Sequence, residues 1–428
     1  GVGRPTDVGN YRPIALISVI GKTFTKSWLP RLVSVLEPTL VKEQGCARKR
    51  QGSMEQLWAV TSVIADAMER GPGAYALFAD LTKAYDQVWR EGLYLALYAH
   101  GVRGNMWTMI QHWLGGSRAV TRWNSVTGPE VRLEEGLRQG CVLSPILYCV
   151  FVNMFLKQGA PVAGPPGVES FMPTFFGQGL QPLSQATVGS QGIPWSPGLP
   201  LPGGGKLMAP LIMDETTLQA QTRQDLQVMA DAYVGYCFKF HMNLNPTKSK
   251  LMHFTLHTTR DQFTIVAGGH TFSTPVKKTG QARCRIKYLG LTVDSGLSAT
   301  GHVEAKLRSA QARCAALDVI ARAMGPSFAL WYLRVHLAPS ILYALEVVPL
   351  GRPHRERLAQ LHTQLISEAV GLGALGGNPG RTNERADPLP IPCIRRDCLV
   401  AETSDLPRDV EVSRRTLFGW SENKRAWR

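Results

Sequence analysis

The sequence predicts an α+β fold whose sheet-bearing part gives way to helices beyond residue 295. Three patterns point there. Leu57, Val60, Ile64, Ala67 and Met68 recur at helical spacing between residues 53 and 70. Next, Ala74-Tyr75-Ala76-Leu77-Phe78-Ala79 is a short apolar run that reads as a buried strand ending at Asp80. Beyond residue 295, Val303, Leu307, Ala310, Cys314 and Leu317 form one apolar helical stripe. A length of 428 residues allows two or three domains, each with its own core.

The other elements follow in order. A Pro-punctuated start leads to an apolar stretch around residues 14–36. Ser53 and Gln56 have capping-box spacing, and Gly71 stops that helix. Helices are expected near 90–100 and 105–114, stopped by Gly101 and Gly115. Residues 117–134 alternate around Thr127-Gly128-Pro129, which predicts a hairpin turning there. Ser144-Pro145 opens another helix, since proline is tolerated in a first helical turn. Residues 158–205 contain 20 Gly or Pro among 48, with Glu169 the only charge. Such a segment is expected to be a flexible or extended insertion, and removing 160–204 is expected to leave folding intact. An apolar strand is expected over 207–213, with a returning strand over 216–220. Leu226, Met229, Tyr233, Cys237 and Phe240 mark the core face of a helix, and a strand at 249–254 follows. Gly268-Gly269 joins two short strands. Residues 330–348 form a second apolar helical region, and 373–428 read as a loosely ordered tail.

The formal net charge of +15 favours a polyanionic partner, either nucleic acid or an acidic membrane surface. No run of 18 apolar residues exists, so no transmembrane helix is expected. The eight cysteines are scattered, which fits reduced thiols. Cys393 and Cys398 lack a matching Cys/His pair, so no zinc site is expected there. The expected location is the nucleus or cytoplasm.

The chemistry lies in four short motifs in one order. Tyr11-Arg12-Pro13-Ile14 comes first, then Asp80-Leu81-Thr82-Lys83-Ala84-Tyr85-Asp86 at the strand end. Gly136-Leu137-Arg138-Gln139-Gly140-Cys141-Val142-Leu143-Ser144-Pro145 precedes a helix, and Tyr288-Leu289-Gly290-Leu291 follows the Gly-Gly hairpin. A carboxylate ending a buried strand can hold a hard cation, and an aromatic five residues later can wall the same pocket. The series resembles the reverse transcriptases of non-LTR (LINE-type) retrotransposons, from about residue 8 to about 350.

That resemblance implies a right-hand polymerase fold (fingers and palm) followed by a helical thumb. The implied division is fingers 1–79, palm with fingers elements 80–157, the Gly/Pro-rich insertion 158–205, palm completion and primer-grip hairpin 206–295, thumb 296–372 and tail 373–428. It implies RNA-directed DNA polymerase activity with two Mg²⁺ ions, an RNA template, a DNA primer and dNTPs, and no membrane partner. Asp80 and Asp214 would be catalytic metal ligands, Leu81 would add its carbonyl, and Glu215 would be the second carboxylate of the Asp-Asp pair. Tyr85 matches the aromatic that selects deoxynucleotides, while Asp86 matches a position expected to be structural. Gln139 and Gly140 match the loop under the templating pair, Arg48 the arginine near the triphosphate, and Lys248 the lysine near the active site. Tyr288, Leu289 and Gly290 match the primer grip. Arg138 reads equally as a phosphate contact or a solvated side chain, and Arg48, Lys49 and Arg50 read as an anion-binding cluster or a solvated basic turn.

The chain departs from the family pattern in four places. Glu215 replaces an Asp, Ile212 replaces an aromatic, Cys46-Ala47 replaces Gly-Phe, and residues 158–205 are inserted. Full elements carry an endonuclease upstream and often a zinc knuckle or RNase H downstream. Neither pattern is visible, so the chain reads as a polymerase core cut from a longer element. Two further readings stay open: a catalytically inactive protein of the same fold that binds RNA or RNA–DNA hybrid, and an unfolded relic.

Overall fold

A computed structural model of the chain describes residues 11–155 except 12, 72 and 124, then 198–201, 206–207, 209–212, 215–257, 262–276, 283–298, 300–347 and 352–369. Helix α1 (Val19–Leu36) is capped by Ser18, whose Oγ accepts the Gly21 amide at 3.1 Å. Helix α2 (Ser53–Arg70) and strand β1 (Ala74–Asp80) fall where the apolar spacing predicts. The capping box does not form. Gly52 is the N-cap, and Gln56 donates to the carbonyls of Glu43 and Leu211 at 2.7 and 3.2 Å. Gln56 is buried, so its amide answers buried carbonyls rather than the helix end.

Helices α3 (Arg90–Ala99) and α4 (Gly104–Leu114) lead into a two-stranded ribbon, β2 (Arg118–Trp123) and β3 (Val126–Arg132). Thr127, Gly128 and Pro129, expected at its turn, lie within β3. The register shifts between Val120 and Arg122, leaving Thr121 opposite both Gly128 and Pro129. A bulge on an unpartnered ribbon tolerates a proline that has no N–H to offer. Helix α5 (Ser144–Asn153) starts on Pro145 and is buried on all sides from Ile146 onward.

Strand β4 (Leu199–Pro200) pairs with β5 (Lys206–Leu207), while β6 (Leu211–Ile212) pairs with β7 (Glu215–Ala220). The expected single strand over 207–213 is therefore two. Pro210 stands at the break, donating nothing and accepting the Thr217 amide at 3.0 Å. Leu199 is fully buried, so packed structure resumes ahead of Leu207, and a deletion that spares folding has to stop before Gly198. Residues 156–197 and 202–205, most of the expected insertion, lie outside the described residues.

Helix α6 (Arg223–Lys239) carries the chain from β7 to β8 (Lys250–Phe254). The resulting four-stranded antiparallel sheet has the order β6-β7-β1-β8. Strands β9 (Thr264–Ala267) and β10 (His270–Ser273) turn through Gly268 and Gly269, both at positive φ. A second hairpin, β11 (Arg285–Tyr288) and β12 (Leu291–Asp294), precedes helices α7 (Thr300–Met324), α8 (Pro326–Tyr332), α9 (Ala338–Leu342) and α10 (Arg352–Ala369). Residues 370–428, which include Cys393 and Cys398, lie outside the described residues.

The period-two alternation of β1 divides the interior. Leu77 and Ala79 face one core with α3, α5 and α6. Ala74 and Ala76 face a second core with α2, the β11–β12 hairpin and helices α7 to α10. Phe78 continues that second face and packs on Tyr288, ring centroids 4.9 Å apart. By the same alternation Asp80 belongs to the side of the sheet that carries the hairpin and the C-terminal helices.

Candidate active site

Asp80 ends the central strand, and its register partner on β7 is Glu215. Paired residues of antiparallel strands project from the same face, so two carboxylates stand side by side at the sheet end. The neighbouring cation is Lys248, with Nζ 3.8 Å from Asp80 Oδ2 and the lysine side chain 69% exposed. Residues 245–249 fasten the strand end. Asn245 N–H donates to the Asp80 carbonyl at 2.9 Å, and Asp80 N–H donates to Ser249 Oγ at 3.0 Å. Leu81 then bridges Leu244, with its side chain in the core. The bonds that Asn245 and Ser249 make to Asp80 are not legible in the sequence, because the partners lie 169 residues apart in the case of Ser249.

Glu215 reaches away from the sheet. Its Oε2 accepts the Leu289 amide at 3.2 Å. The expected primer-grip residues Tyr288, Leu289 and Gly290 thus stand beside the carboxylate pair. Burial pushes the Tyr288 hydroxyl above its ordinary pKa, with Thr217 and Glu215 as its polar neighbours. Asp214 lies outside the described residues. The edge strand β6 that leads to it is held by the turn before α2: Gly45 N–H donates to the Leu211 carbonyl, and Leu211 N–H donates to the Glu43 carbonyl.

The motif after Asp80 and the Arg-Gln-Gly loop form one unit. Gly136 N–H donates to the Val88 carbonyl, and Leu137 N–H to the Tyr85 carbonyl. Gln139 Nε2 donates to Asp86 Oδ1 at 3.1 Å, which links the two motifs. Tyr85 is half-buried and stacks on Tyr148 of α5, centroids 4.8 Å apart. Gly140 has φ +119°, and a Cβ there would sit 2.6 Å from the Ala15 carbonyl oxygen. Gly136 is as constrained, with φ +79° and a Cβ position 2.6 Å from the Asp86 carbonyl oxygen. Gly136→Ala is expected to cost about 1–3 kcal/mol, read as a lower urea midpoint with an unchanged slope.

Two arginines are placed differently from expectation. Arg48 is not presented to a triphosphate. It donates to Glu37 Oε1 through Nε and Nη2, and to the Val41 and Gln44 carbonyls through Nη1, at 10% side-chain exposure. Its planar fork braces the turn between α1 and α2, while Lys49 and Arg50 stay exposed. Arg138 is half-buried: it donates to the Trp113 carbonyl at 2.6 Å and lies over that indole. Arg90, which sequence reasoning missed, is 4% exposed and donates to the carbonyls of Leu114, Leu133, Glu135 and Gly136. It sets the base of the Arg-Gln-Gly loop.

The donor set fits a hard cation. Carboxylate oxygens are the ligands Mg²⁺ prefers, and Asp80 keeps 24% of its side chain exposed. Among the described residues no three His, Cys, Asp or Glu side chains converge as a metal site, and the expected ligand Asp214 lies outside them. No described helix is long and apolar enough to cross a membrane.

Comparison with known proteins agrees with the geometry. Residues 4–293 match the family described as reverse transcriptase (RNA-dependent DNA polymerase). The chain is 22% identical over 374 residues to the RNA-directed DNA polymerase from mobile element jockey of Drosophila funebris, covering 86% of this chain and 36% of that protein. It is 31% identical over 152 residues to the probable RNA-directed DNA polymerase from transposon X-element of Drosophila melanogaster, covering 35% of this chain and 17% of that protein. Apo telomerase from Candida tropicalis overlaps 92% of this chain and 61% of its own, at 10% identity and a TM-score of 0.41. The chain thus spans about a third of the length of the jockey polymerase. The right-hand α+β fold and the resemblance to polymerases of non-LTR retrotransposons are borne out, and the chain belongs to the reverse transcriptase family.

Proposed function

We propose that this chain is the polymerase core of a retrotransposon and extends a DNA primer on an RNA template with dNTPs. One observation carries the reading: Asp80 and Glu215 face one another across the sheet end, beside Lys248 and the Leu289 turn. Asp80 and Asp214 would hold the metal ions, with the Leu81 carbonyl as a further oxygen donor. The chemistry such ions would supply is a lowered pKa for the primer 3′-hydroxyl and neutralisation of charge on the transferring phosphate.

The chain's own residues supply the positioning. Lys248 carries a mobile positive charge where a triphosphate oxygen would lie. Tyr85, propped on Tyr148, offers a flat aromatic edge to the sugar. Gln139 and Gly140 form the floor of the base pair, held by Asp86 and Ala15. Tyr288, Leu289 and Gly290 would hold the primer end. Lys49 and Arg50 are the exposed cations of the fingers turn.

Phosphate contacts would dominate template–primer binding. A footprint of about six phosphates predicts a loss of affinity on the order of a thousandfold between about 50 and 200 mM salt. Fluorescence anisotropy with a labelled hybrid measures this, and an affinity independent of salt would count against the reading. A second reading, hybrid binding without synthesis, draws on the engagement of Glu215 with Leu289. Template-directed primer extension separates the two.

A further inference from the structure

We propose that Glu215 is a positioning residue, whose carboxylate fixes the Leu289–Gly290 turn, and with it the primer-grip hairpin, at the Asp80 end of the palm sheet. The proposal rests on the polymerase reading for its functional meaning and on geometry for the tether itself.

The turn is held from two sides. From the palm, Glu215 Oε2 accepts the Leu289 N–H at 3.2 Å. From the C-terminal helices, Tyr343 Oη donates to the Leu289 carbonyl at 2.6 Å. His302, 2% exposed, ties the same parts together: its Nε2 meets the Tyr343 carbonyl at 3.1 Å and its Nδ1 accepts the Thr292 amide at 3.4 Å. Leu289 has φ +43°, a conformation that a residue with a branched side chain keeps only when its surroundings hold it. Gly290 follows at φ +83°, where an added Cβ would lie 2.9 Å from the Tyr343 ring. The hairpin tip is therefore shaped to its two anchors rather than by its own preference.

Length decides the role of the palm anchor. Asp is shorter than Glu by one C–C bond, about 1.5 Å. From the same Cα, an Asp carboxylate would fall well outside hydrogen-bonding range of the Leu289 amide. The longer side chain is what lets strand β7 reach the turn. Shortening the side chain to Asp should thus loosen the hairpin.

Three variants and two readouts test this. Glu215→Gln keeps the reach and an acceptor oxygen, Glu215→Asp keeps the charge without the reach, and Glu215→Ala keeps neither. Hydrogen exchange over residues 285–294 should speed up about tenfold in the Asp and Ala variants and stay near native in the Gln variant. In the Asp variant the KM for template–primer should rise about tenfold, with the Mg²⁺ midpoint unmoved. Native exchange rates in the Asp variant, or a Mg²⁺ midpoint shifted in both the Gln and Asp variants, would overturn the proposal in favour of a metal ligand. The exchange readout needs no synthesis, so a chain that makes no DNA still reports on the tether, and the two readings fail separately.

Discussion

Asp80→Asn is expected to remove RNA-templated primer extension by a thousandfold or more, about 4 kcal/mol of transition-state stabilisation. The loss should be confined to chemistry. The strand end is fastened through the backbone of residue 80, by the Asn245 amide and the Ser249 hydroxyl, and asparagine leaves both bonds in place. The side-chain pairing given up, to a lysine 69% exposed and 3.8 Å away, contributes about 0–1 kcal/mol. The melting transition of Asp80→Asn should therefore match the native chain within a few degrees, and affinity for RNA–DNA hybrid should hold or rise slightly as a negative charge disappears. Parallel extension, melting and anisotropy measurements check all three. A variant that loses hybrid binding along with synthesis would place Asp80 in binding rather than catalysis.

The largest effect on stability is expected at Arg90. Its guanidinium is buried and is donor to four carbonyls from α4 and the stretch that opens the Arg-Gln-Gly loop. Burial lowers its pKa from the ordinary arginine value. Removing it orphans those carbonyls, and those of Leu114 and Gly136 are buried. Arg90→Met, which keeps much of the volume, should cost about 3–5 kcal/mol in urea unfolding. Arg90→Lys should recover little, because one ammonium with three donors cannot reach four acceptors arranged around a planar fork. Under conditions where Arg90→Met still folds, primer extension should fall as well, since Gln139 and Gly140 lose their base. Full activity in a destabilised Arg90→Met would show that the loop holds its shape without this brace.

The contrast between Asp80 and Arg90 marks what a sequence can reveal. Asp80 announced itself because a short apolar run and a terminal carboxylate are local patterns, and α2, β1 and α5 were found where their spacing and stop residues put them. The motifs around Tyr85, Gln139 and Tyr288 were visible for the same reason. Partners across the chain were not. Nothing near Arg90 announces the carbonyls of Leu133 and Glu135, nothing near Ser249 announces the Asp80 amide, and nothing near Glu215 announces the Leu289 turn. Arg48 misled because a basic turn looks alike whether its arginine meets a phosphate or folds back on Glu37. Thr127-Gly128-Pro129 misled because bulges and turns use the same residues. Local rules therefore gave the elements, while the polar fastenings that align them at the site needed three dimensions.

The most direct test of the account is primer extension by the native chain on an RNA template, with dNTPs and Mg²⁺, beside an EDTA control. The account predicts complementary DNA that grows to the template end and vanishes with the metal. No product from a chain that melts cooperatively and binds the hybrid would contradict it, leaving a reverse-transcriptase fold that holds nucleic acid without copying it.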